Sequence, residues 1–338
     1  MITVGIVGGS GYTGKKLLQI CSAHPNIKSI TVYGFSTAGE NISSIFPELL
    51  NIIEDNVIES VKSISLEHDL YFIALPHGEA LEYVPNLIQA GKKVIDLGGD
   101  YRLDTAEEYQ TWYNKKHNSP ELLKEKCYSL ADYINTDYSK VNLIANPGCY
   151  PTSVLLALLP FVNNFSDVIN TVNTCSYSGT SGAGKSAKTD LLMSEMDGNV
   201  KAYNVNNHRH QPEIYQELVK AGLKEEYNIT MHLLPIAVGI YSTTTIKLKE
   251  EIDADKLAKV YFDKYNSSPF VRLRKVPPSL TWVTGTNFCD INLSLKSKTL
   301  IITSAIDNLI KGAAGQAIQN MNKLFNWEES LGLLSLGA

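Results

Sequence analysis

The sequence predicts an α/β protein in which a doubly wound parallel sheet is followed by a second, α+β domain with a largely antiparallel sheet. Two observations carry this prediction. Strand-like and helix-like runs alternate up to residue 145, which is typical of a parallel sheet. Beyond residue 168, strand-like runs dominate, with few helices between them. We expect one domain at 1–148 with 308–338 and another at 149–307, because 338 residues fit two cores.

The composition argues against several classes of protein. Hydrophobic residues make up 44% of the chain and charged residues 19%, as in ordinary globular proteins. The net charge of -5 gives no reason to expect a nucleic acid or a membrane as partner. The longest apolar run, Leu155–Val162, is too short for a bilayer span. The five cysteines lack metal-ligand spacing, so we expect no metal, no disulfide and a cytoplasmic location.

A glycine-rich turn stands at the start of the chain. Ile2–Val7 is an apolar strand candidate, and Lys15–Cys21 is a helix candidate. Between them, Gly9-x-Gly11-x-x-Gly14 has the context of a dinucleotide fingerprint, in which the backbone approaches a pyrophosphate at a helix N-terminus. The alternative is a tight turn without a ligand. We expect a Rossmann-type domain whose cofactor contacts include Gly8, Gly9, Ser10, Gly11, Tyr12, Thr13 and Gly14.

The next strand indicates which cofactor is bound. Ser29–Gly34 ends without the acidic residue that NAD sites use to hold the ribose 2′-hydroxyl. Ser36 lies in a run of small residues that leaves room for a 2′-phosphate, and no acid occurs before Glu40. NADP is therefore predicted over NAD. No Lys or Arg lies beside Ser36, so the strength of this preference is open.

Two further strand candidates, Asp69–Leu75 and Lys93–Leu97, end in polar residues. Ligands of parallel sheets lie at the carboxyl ends of the strands, so His77 and Arg102 should face the ligand region. His77 is better explained as a structural residue at the start of a helix. Residues 104–140 are expected to cross the edge of the sheet.

One thiol lies on a strand-to-helix turn. Asn146-Pro147-Gly148-Cys149-Tyr150-Pro151-Thr152 follows an apolar strand and precedes an apolar helix. A helix N-terminus favours a thiolate, and a thiolate is a strong nucleophile toward an acyl carbon. The alternative is a small buried hydrophobe, which is what most free cysteines are. The nucleotide loop and the histidine cluster described next favour a nucleophilic Cys149.

Two motifs follow Cys149. Gly179 to Ser186 matches the phosphate-loop pattern G-x-x-x-x-G-K-[ST], but a phosphate loop normally follows the first strand of its sheet. We therefore interpret it as a substrate- or cofactor-facing loop that contains Lys185. His208-Arg209-His210 could supply an acid/base and an anion clamp, or could be a solvated loop. Strands are predicted at Thr281–Lys296 and Thr299–Ala305, and a final helix from Asp307 through Phe325.

Together these motifs resemble the N-acetyl-gamma-glutamyl-phosphate reductases of arginine biosynthesis, a family related to aspartate-semialdehyde dehydrogenases. The most specific of them are Pro-Gly-Cys-Tyr-Pro-Thr and His-Arg-His-x-Pro-Glu-Ile. The resemblance covers essentially the whole chain. It implies a NADP-dependent reductase of an acyl phosphate and a homo-oligomer, commonly a tetramer.

The resemblance also implies roles for individual residues. Cys149 is the expected nucleophile and His210 the expected acid/base, although His208 stays open as an alternative. Substrate binding is expected of His208, Arg209, Arg102 and Lys185. Cofactor binding is expected of the glycine turn and of Ser36, Pro76, Gly182 and Asn308.

Two alternatives are kept. An aspartate-semialdehyde dehydrogenase or an aminoadipyl-phosphate reductase would share the thiol chemistry and differ in the acyl chain. A nucleotide-sensing regulatory protein would keep the fold and bind NADP without catalysis.

Overall fold

The computed structural model describes residues 1–334, which form two compact units. The N-terminal unit comprises Met1–Pro147 and the segment that begins at Ala313, and the second unit comprises Gly148–Gly312. Residues 335–338, which the predicted first domain includes, lie outside the described residues. The predicted fold class is confirmed, because the first unit contains a parallel sheet and the second a mixed one.

The sheet of the N-terminal unit is parallel throughout. Within residues 1–334 its strands are β1 (Ile2–Val7), β2 (Ile27–Gly34), β3 (Glu59–Ser60), β4 (Leu70–Ile73), β5 (Lys93–Asp96), β6 (Cys127–Tyr128) and β7 (Leu143–Ala145). Their spatial order is β3-β2-β1-β4-β5-β7-β6. The order reverses between β1 and β4, and such a switch point is where doubly wound sheets bind dinucleotides.

The helices that connect these strands agree with the predicted alternation. They are α1 (Tyr12–Ser22), α2 (Ile42–Ile45), α3 (Ala80–Gln89), α4 (Ala106–Tyr113) and α5 (Leu122–Glu125). Helix α1 begins directly after the glycine turn and buries one face. Residues 104–140 contain α4, α5 and β6, and β6 forms the edge of the sheet at which this excursion was expected.

The sheet of the second unit is mixed. Its strands among the described residues are β8 (Ile169–Ser178), β9 (Lys201–Tyr203), β10 (Tyr227–Leu233), β11 (Ile240–Leu248), β12 (Val271–Arg274), β13 (Cys289–Lys296) and β14 (Thr299–Ile306). Their order is β12-β13-β14-β11-β8-β10-β9. The pairs β12–β13 and β8–β10 are parallel, and the other pairs are antiparallel.

One face of this sheet carries the core of the second unit. The helices of the unit are α6 (Cys149–Phe165), α7 (Met193–Met196), α8 (His210–Lys220) and α9 (Ala254–Tyr265). Helix α6 is buried along almost its whole length, which explains why the sequence after Cys149 is so apolar. Two buried tyrosines of α9 hold it, since Tyr261 and Tyr265 donate to the carbonyls of Ala157 and Leu156 at 2.6 and 2.5 Å.

A buried layer of hydroxyl groups joins α6 to the sheet. Ser153 Oγ lies 2.9 Å from Ser242 Oγ and 2.8 Å from Ser304 Oγ, and Ser242 Oγ lies 2.8 Å from Ser176 Oγ. Buried polar groups are stabilising only when they are hydrogen-bonded, and this layer satisfies each of its members. Because Ser153 lies one helical turn beyond Cys149, the layer also fixes the position of the thiol's helix.

The segment Thr281–Phe288 corrects the predicted strand Thr281–Lys296. Only Cys289–Lys296 forms a strand, and the residues before it form a 3-10 turn at Leu280–Trp282 and a loop. Gly285 has φ +81°, and the Thr284 hydroxyl donates to the carbonyl of Leu280 at 2.8 Å. These local bonds replace the strand ladder that the Thr-rich sequence suggested.

The predicted final helix from Asp307 through Phe325 begins later. The Asp307 carboxylate accepts the N–H groups of Leu309 and Ile310, which makes a capped turn. A π-helical turn at Ile310–Ala314 follows, and then α10 (Gly315–Leu324). Within the N-terminal unit α10 is rich in buried amides, such as Asn320, whose Nδ2 donates to Asn146 Oδ1 at 3.0 Å.

We expect Ser242→Ala to lower the free energy of unfolding by about 1–3 kcal/mol, because it leaves the buried hydroxyls of Ser153 and Ser176 without a shared partner. Ser294→Ala, at an exposed position of β13, is the control and should change it by less than about 0.5 kcal/mol. Equilibrium unfolding in urea measures both. Equal effects would show that the layer contributes no specific stability.

Candidate active site

Cys149 is the first residue of α6, and Gly148 is its N-cap. The side chain is partly exposed, whereas Tyr150, Pro151 and Thr152 are buried. Pro151 is accommodated because a proline in the first helical turn removes only an N–H group that has no helical partner. The Thr152 N–H already donates to the carbonyl of Gly148 at 2.8 Å. The remaining N–H groups of this turn belong to Cys149 and Tyr150.

A buried carboxylate fixes the turn. Gly148 N–H donates to Glu213 Oε1 at 2.8 Å, and Glu213 is fully buried in the first turn of α8. An acidic side chain is stabilised near the N-terminus of a helix, so the dipole of α8 also favours this carboxylate. The sequence motif contained Glu213, but nothing in its pattern indicated that it binds the turn before Cys149.

The backbone packs closely on the other side of Cys149. A Cβ on Gly312 would lie 2.7 Å from Cys149 Cβ, which is closer than real contacts allow. Only glycine therefore fits at this position. Beside it, Lys311 is fully buried, with its Nζ 5.4 Å from the centroid of the Phe270 ring.

Three aromatic side chains lie around His208. Its ring centroid lies 5.5 Å from that of Tyr150, 5.4 Å from that of Tyr203 and 4.9 Å from that of His210. The Tyr203 hydroxyl donates to the Tyr150 hydroxyl at 2.9 Å. Burial raises the pKa of both Tyr150 and Tyr203 above the ordinary range, so both are neutral phenols. The sequence did not predict that Tyr203 belongs to this site, because β9 is short and polar.

His208 is held in one tautomer. Its Nδ1 accepts the backbone N–H of His210 at 3.1 Å, so the proton of the neutral ring lies on Nε2. Burial, together with the smaller effect of the Arg209 charge, lowers the pKa of His208 to about 4. His208 is therefore uncharged at neutral pH and caps the start of α8.

The second unit thus brings together Cys149, His208, Arg209 and His210. His210 is buried and its ring centroid lies 5.9 Å from that of Tyr150, the neighbour of Cys149. Arg209 is exposed, and its charge acts on His208 and Tyr203. Lys185 is also exposed, in the loop that follows Gly184.

The loop of Gly179 to Ser186 does not have the geometry of a phosphate loop. The N–H groups of Gly179, Thr180 and Ser181 donate to the carbonyls of Gly239, Ile236 and Ala237, so they are committed to the protein's own backbone. A 3-10 turn at Thr180–Ala183 replaces the long helix that a phosphate loop requires. Gly182 is exposed in this turn.

Asn308 lies in the second unit and is buried. Its Oδ1 accepts the Gly239 N–H at 2.7 Å, and its Nδ2 donates to Ser181 Oγ at 3.0 Å. The side chain thus joins two loops of its own unit. Its predicted contact with the cofactor stays a prediction, as does that of Gly182.

In the N-terminal unit, the glycine turn leaves open space at the start of α1. Gly11 is the N-cap of α1, and a Cβ on Gly11 would meet no atom within 4 Å. By contrast, a Cβ on Gly14 would lie 2.4 Å from the carbonyl oxygen of Gly9, so this glycine is required by the packing of the turn. The open space over Gly11, at a helix N-terminus without a side-chain cap, fits a phosphate group. Ser36 and Pro76 are exposed after β2 and β4, at the same edge of the sheet.

Arg102 is almost fully buried in the N-terminal unit. Its Nε donates to the carbonyl of Asn146 at 2.9 Å and its Nη2 to that of Leu97 at 2.7 Å. The structure therefore shows Arg102 supporting the chain that leads to Gly148, and its contact with substrate stays a prediction. His77 Nδ1 accepts the Gly99 N–H at 2.9 Å and so holds the loop before Arg102, which agrees with the structural role expected for His77.

The described residues contain neither a cluster of metal ligands nor a membrane-spanning helix. Among residues 1–334, no group of three or more His, Cys, Asp or Glu side chains could hold a metal ion. No helix in the same range is long and apolar enough to cross a membrane.

The fold and the thiol site define the class of the protein. Residues 3–147 match the family model of the semialdehyde dehydrogenase NAD binding domain, and residues 149–308 match that of the semialdehyde dehydrogenase dimerisation domain. The N-terminal unit therefore contains the nucleotide-binding domain of this class.

Two solved aspartate-semialdehyde dehydrogenases have the same fold. The Vibrio cholerae enzyme II complexed with ASA has TM-score 0.73 at 16% identity, covering 96% of this chain and 98% of its own. The Candida albicans enzyme with NADP has TM-score 0.70 at 15% identity, covering 96% and 98%.

Relatives in sequence identify the family. N-acetyl-gamma-glutamyl-phosphate reductase of Geotalea daltonii is 44% identical, covering 100% of this chain and 99% of its own. The reductase of Desulfotalea psychrophila is 41% identical, with 98% of each chain covered, and that of Clostridium novyi is 38% identical, also with 98% of each covered. The chain belongs to the N-acetyl-gamma-glutamyl-phosphate reductase family, and the resemblance inferred from the motifs is confirmed.

The state of His208 can be tested through stability. A histidine whose folded pKa lies below its unfolded value binds protons more readily when unfolded, so stability falls as pH drops from about 6.5 toward 4. His208→Asn keeps an acceptor for the His210 N–H. We expect it to reduce this loss of unfolding free energy at low pH by about 2 kcal/mol. His24, His68 and His117 have pKa values lowered by burial and stay in both proteins, so the difference isolates His208. Urea unfolding at pH 7 and pH 4.5 measures it, and identical pH dependence in both proteins would contradict the assignment.

Proposed function

We propose that the protein catalyses the NADPH-dependent reduction of N-acetyl-L-glutamyl 5-phosphate to N-acetyl-L-glutamate 5-semialdehyde, with release of phosphate, as a step of arginine biosynthesis. The observation that carries the proposal is the position of Cys149, at the N-terminus of α6 beside the His208–Glu213 motif. Full-length similarity to reductases of this name supports the choice of substrate.

Cys149 is the nucleophile of the proposed mechanism. Its sulfur attacks the acyl carbon, the carbon–oxygen bond to phosphate breaks, and a thioester remains on Cys149. The developing oxyanion is stabilised by the N–H groups of Cys149 and Tyr150, which lie at the positive end of the α6 dipole. A reduced nicotinamide cofactor, held by the glycine turn Gly8–Gly14, would supply the hydride for reduction of the thioester to an anionic hemithioacetal. Collapse of the anionic hemithioacetal breaks the carbon–sulfur bond, releases the semialdehyde and leaves Cys149 as a thiolate.

His210 moves the proton. It takes the thiol proton before the attack and returns it to the sulfur as the semialdehyde leaves. His208 keeps its Nδ1 bonded to the His210 backbone and stays neutral, so it positions α8 rather than exchanging protons. Exposed Arg209 binds an anionic group of the substrate, for which a guanidinium offers two parallel donors, and Lys185 is a second candidate for this contact.

The cofactor is held by the N-terminal unit. The open space over Gly11 and the start of α1 would receive the pyrophosphate, with contacts from the turn Gly8–Gly14. Ser36 is exposed just after β2, where the adenosine ribose would lie, and this loop contains no carboxylate before Glu40. These features support NADP rather than NAD.

The outer face of the second sheet is the proposed surface for homo-oligomerisation. Along β8, Val172, Thr174 and Ser176 are buried, whereas Cys175 on the opposite face is exposed. The match of residues 149–308 to a dimerisation domain supports this interface, and the family resemblance implies a tetramer.

The reaction is tested by NADPH oxidation with N-acetylglutamyl phosphate, aspartyl phosphate and aminoadipyl phosphate side by side. We expect the first to be used with the highest kcat/KM. Preference for one of the other two would replace the proposed substrate. Binding of NADPH with no turnover of any of the three would favour a nucleotide-sensing protein.

Substitutions separate the roles of the thiol and the two histidines. Cys149→Ser should lower kcat by roughly 10³-fold or more. His210→Asn should lower kcat by about 10²–10⁴-fold, the range for general acid–base catalysis, and flatten its pH profile. His208→Asn is the matched control, because it retains the acceptor that caps α8. A loss of kcat that is equal in both histidine variants would contradict the assignment of His210.

The oligomer is tested with a bulky charge on the uncovered face. Cys175→Arg should shift the molar mass measured by light scattering to a smaller assembly, because an arginine at the centre of an interface would be buried without a partner. Glu251→Arg places the same side chain at an exposed site before α9 and should leave the mass unchanged. An unchanged mass for Cys175→Arg would rule out this face as the interface.

A further inference from the structure

The loop after β2 lacks the basic residue that commonly accompanies a 2′-phosphate site. Phe35 to Glu40 contains no Lys or Arg, and its one charged residue is Glu40. The Thr37 hydroxyl cannot bind the phosphate directly, because its Oγ1 is buried and packs against Gly34. A Cβ on Gly34 would lie only 2.4 Å from this oxygen. The exposed hydroxyl of Ser36 can donate to a 2′-phosphate from this loop. A doubly charged phosphate needs a cation from elsewhere.

Strand β3 runs beside this loop. It pairs in parallel with β2, with Tyr33 opposite Glu59 and Gly34 opposite Ser60. The loop is hydrogen-bonded to Ile58, the residue before β3. The Gly39 N–H donates to the Ile58 carbonyl at 2.9 Å, and the Ile58 N–H donates to the Glu40 carbonyl at 2.8 Å. Neighbouring strands lie about 4.8 Å apart, so the end of β3 is adjacent to the end of β2.

Lys62 stands at the end of β3. It is the middle residue of a 3-10 turn, Val61–Ser63, that begins as β3 ends and is capped by Ser60 Oγ, which accepts the Lys62 N–H at 3.2 Å. The side chain is exposed and forms no ion pair with any residue in the range 1–334. Lys15, near the glycine turn, is different: its Nζ pairs with Glu48 and lies 5.8 Å from the Phe46 ring centroid.

We propose that Lys62, together with the Ser36 hydroxyl, binds the 2′-phosphate of the cofactor's adenosine and so determines the preference for NADP over NAD. This inference rests on the NADP-dependent function proposed above. The cation comes from the neighbouring strand rather than from the β2 loop. Glu40 opposes it, since a carboxylate in the same loop repels the phosphate.

Binding of adenosine nucleotides tests the proposal without any turnover. Titration calorimetry with 2′,5′-ADP and with 5′-AMP, on the full-length protein, isolates the contribution of the 2′-phosphate. We expect Lys62→Met to weaken 2′,5′-ADP binding about tenfold, the low end for a hydrogen bond to a charged group, with 5′-AMP changed less than about twofold. Glu40→Gln should strengthen 2′,5′-ADP binding by about twofold.

Lys28→Met is the matched control. Lys28 is exposed on the same strand β2 but lies at its opposite end, about 20 Å from Gly34 along the strand. It should leave both nucleotides bound as in the original protein. Lys62→Arg should retain most of the 2′,5′-ADP affinity, because it keeps the charge.

The outcomes are distinguishable. If the original protein prefers 2′,5′-ADP but Lys62→Met does not reduce the preference, Lys62 is not the ligand and the NADP proposal stands. If the original protein binds both nucleotides equally, both the NADP proposal and this inference fail. Equal weakening of both nucleotides by Lys62→Met would show a general effect on the fold and would also overturn the assignment.

Discussion

The hydrogen bond between the Gly148 N–H and the buried Glu213 carboxylate is the constraint on which the thiol site depends. A carboxylate without solvent is costly unless its oxygens are satisfied, so the N-terminal ends of α6 and α8 must stay together. This single contact joins two motifs that are far apart in sequence. It places the cysteine and the two histidines in one unit.

Rigid elements rather than loops hold the nucleophile. Cys149 lies on the first turn of a helix that is buried along its length, and Gly312 packs against its Cβ so closely that no side chain fits there. The hydroxyl layer around Ser153 fixes the next turn against the sheet. A site held in this way keeps its geometry before substrate arrives, which is what positioning of a nucleophile requires.

The elements that the sequence predicted well are those whose pattern is local. The glycine turn, the strand Ile2–Val7 and the apolar helix after Cys149 follow from spacing and hydrophobicity alone. The short edge strands β9 and β12 were missed because Lys201, Arg272 and Arg274 interrupt any apolar pattern, and edge strands tolerate such charges. In β12 both arginines bond to the buried carboxylate of Asp290, a partner on a different strand. The role of Glu213 and the neutral state of His208 likewise depend on contacts between distant segments, which no local pattern contains.

Burial separates two uses of positive charge that the sequence could not distinguish. Arg102 and Arg209 both follow polar motifs, and both were expected to bind substrate. Arg102 is buried and donates to two backbone carbonyls, so its guanidinium acts as a brace for the chain before Gly148. Arg209 is exposed at the start of α8 and perturbs its neighbours through charge. A cation whose donors are taken by the backbone can orient a site, whereas an exposed guanidinium lies where an anionic ligand can reach it.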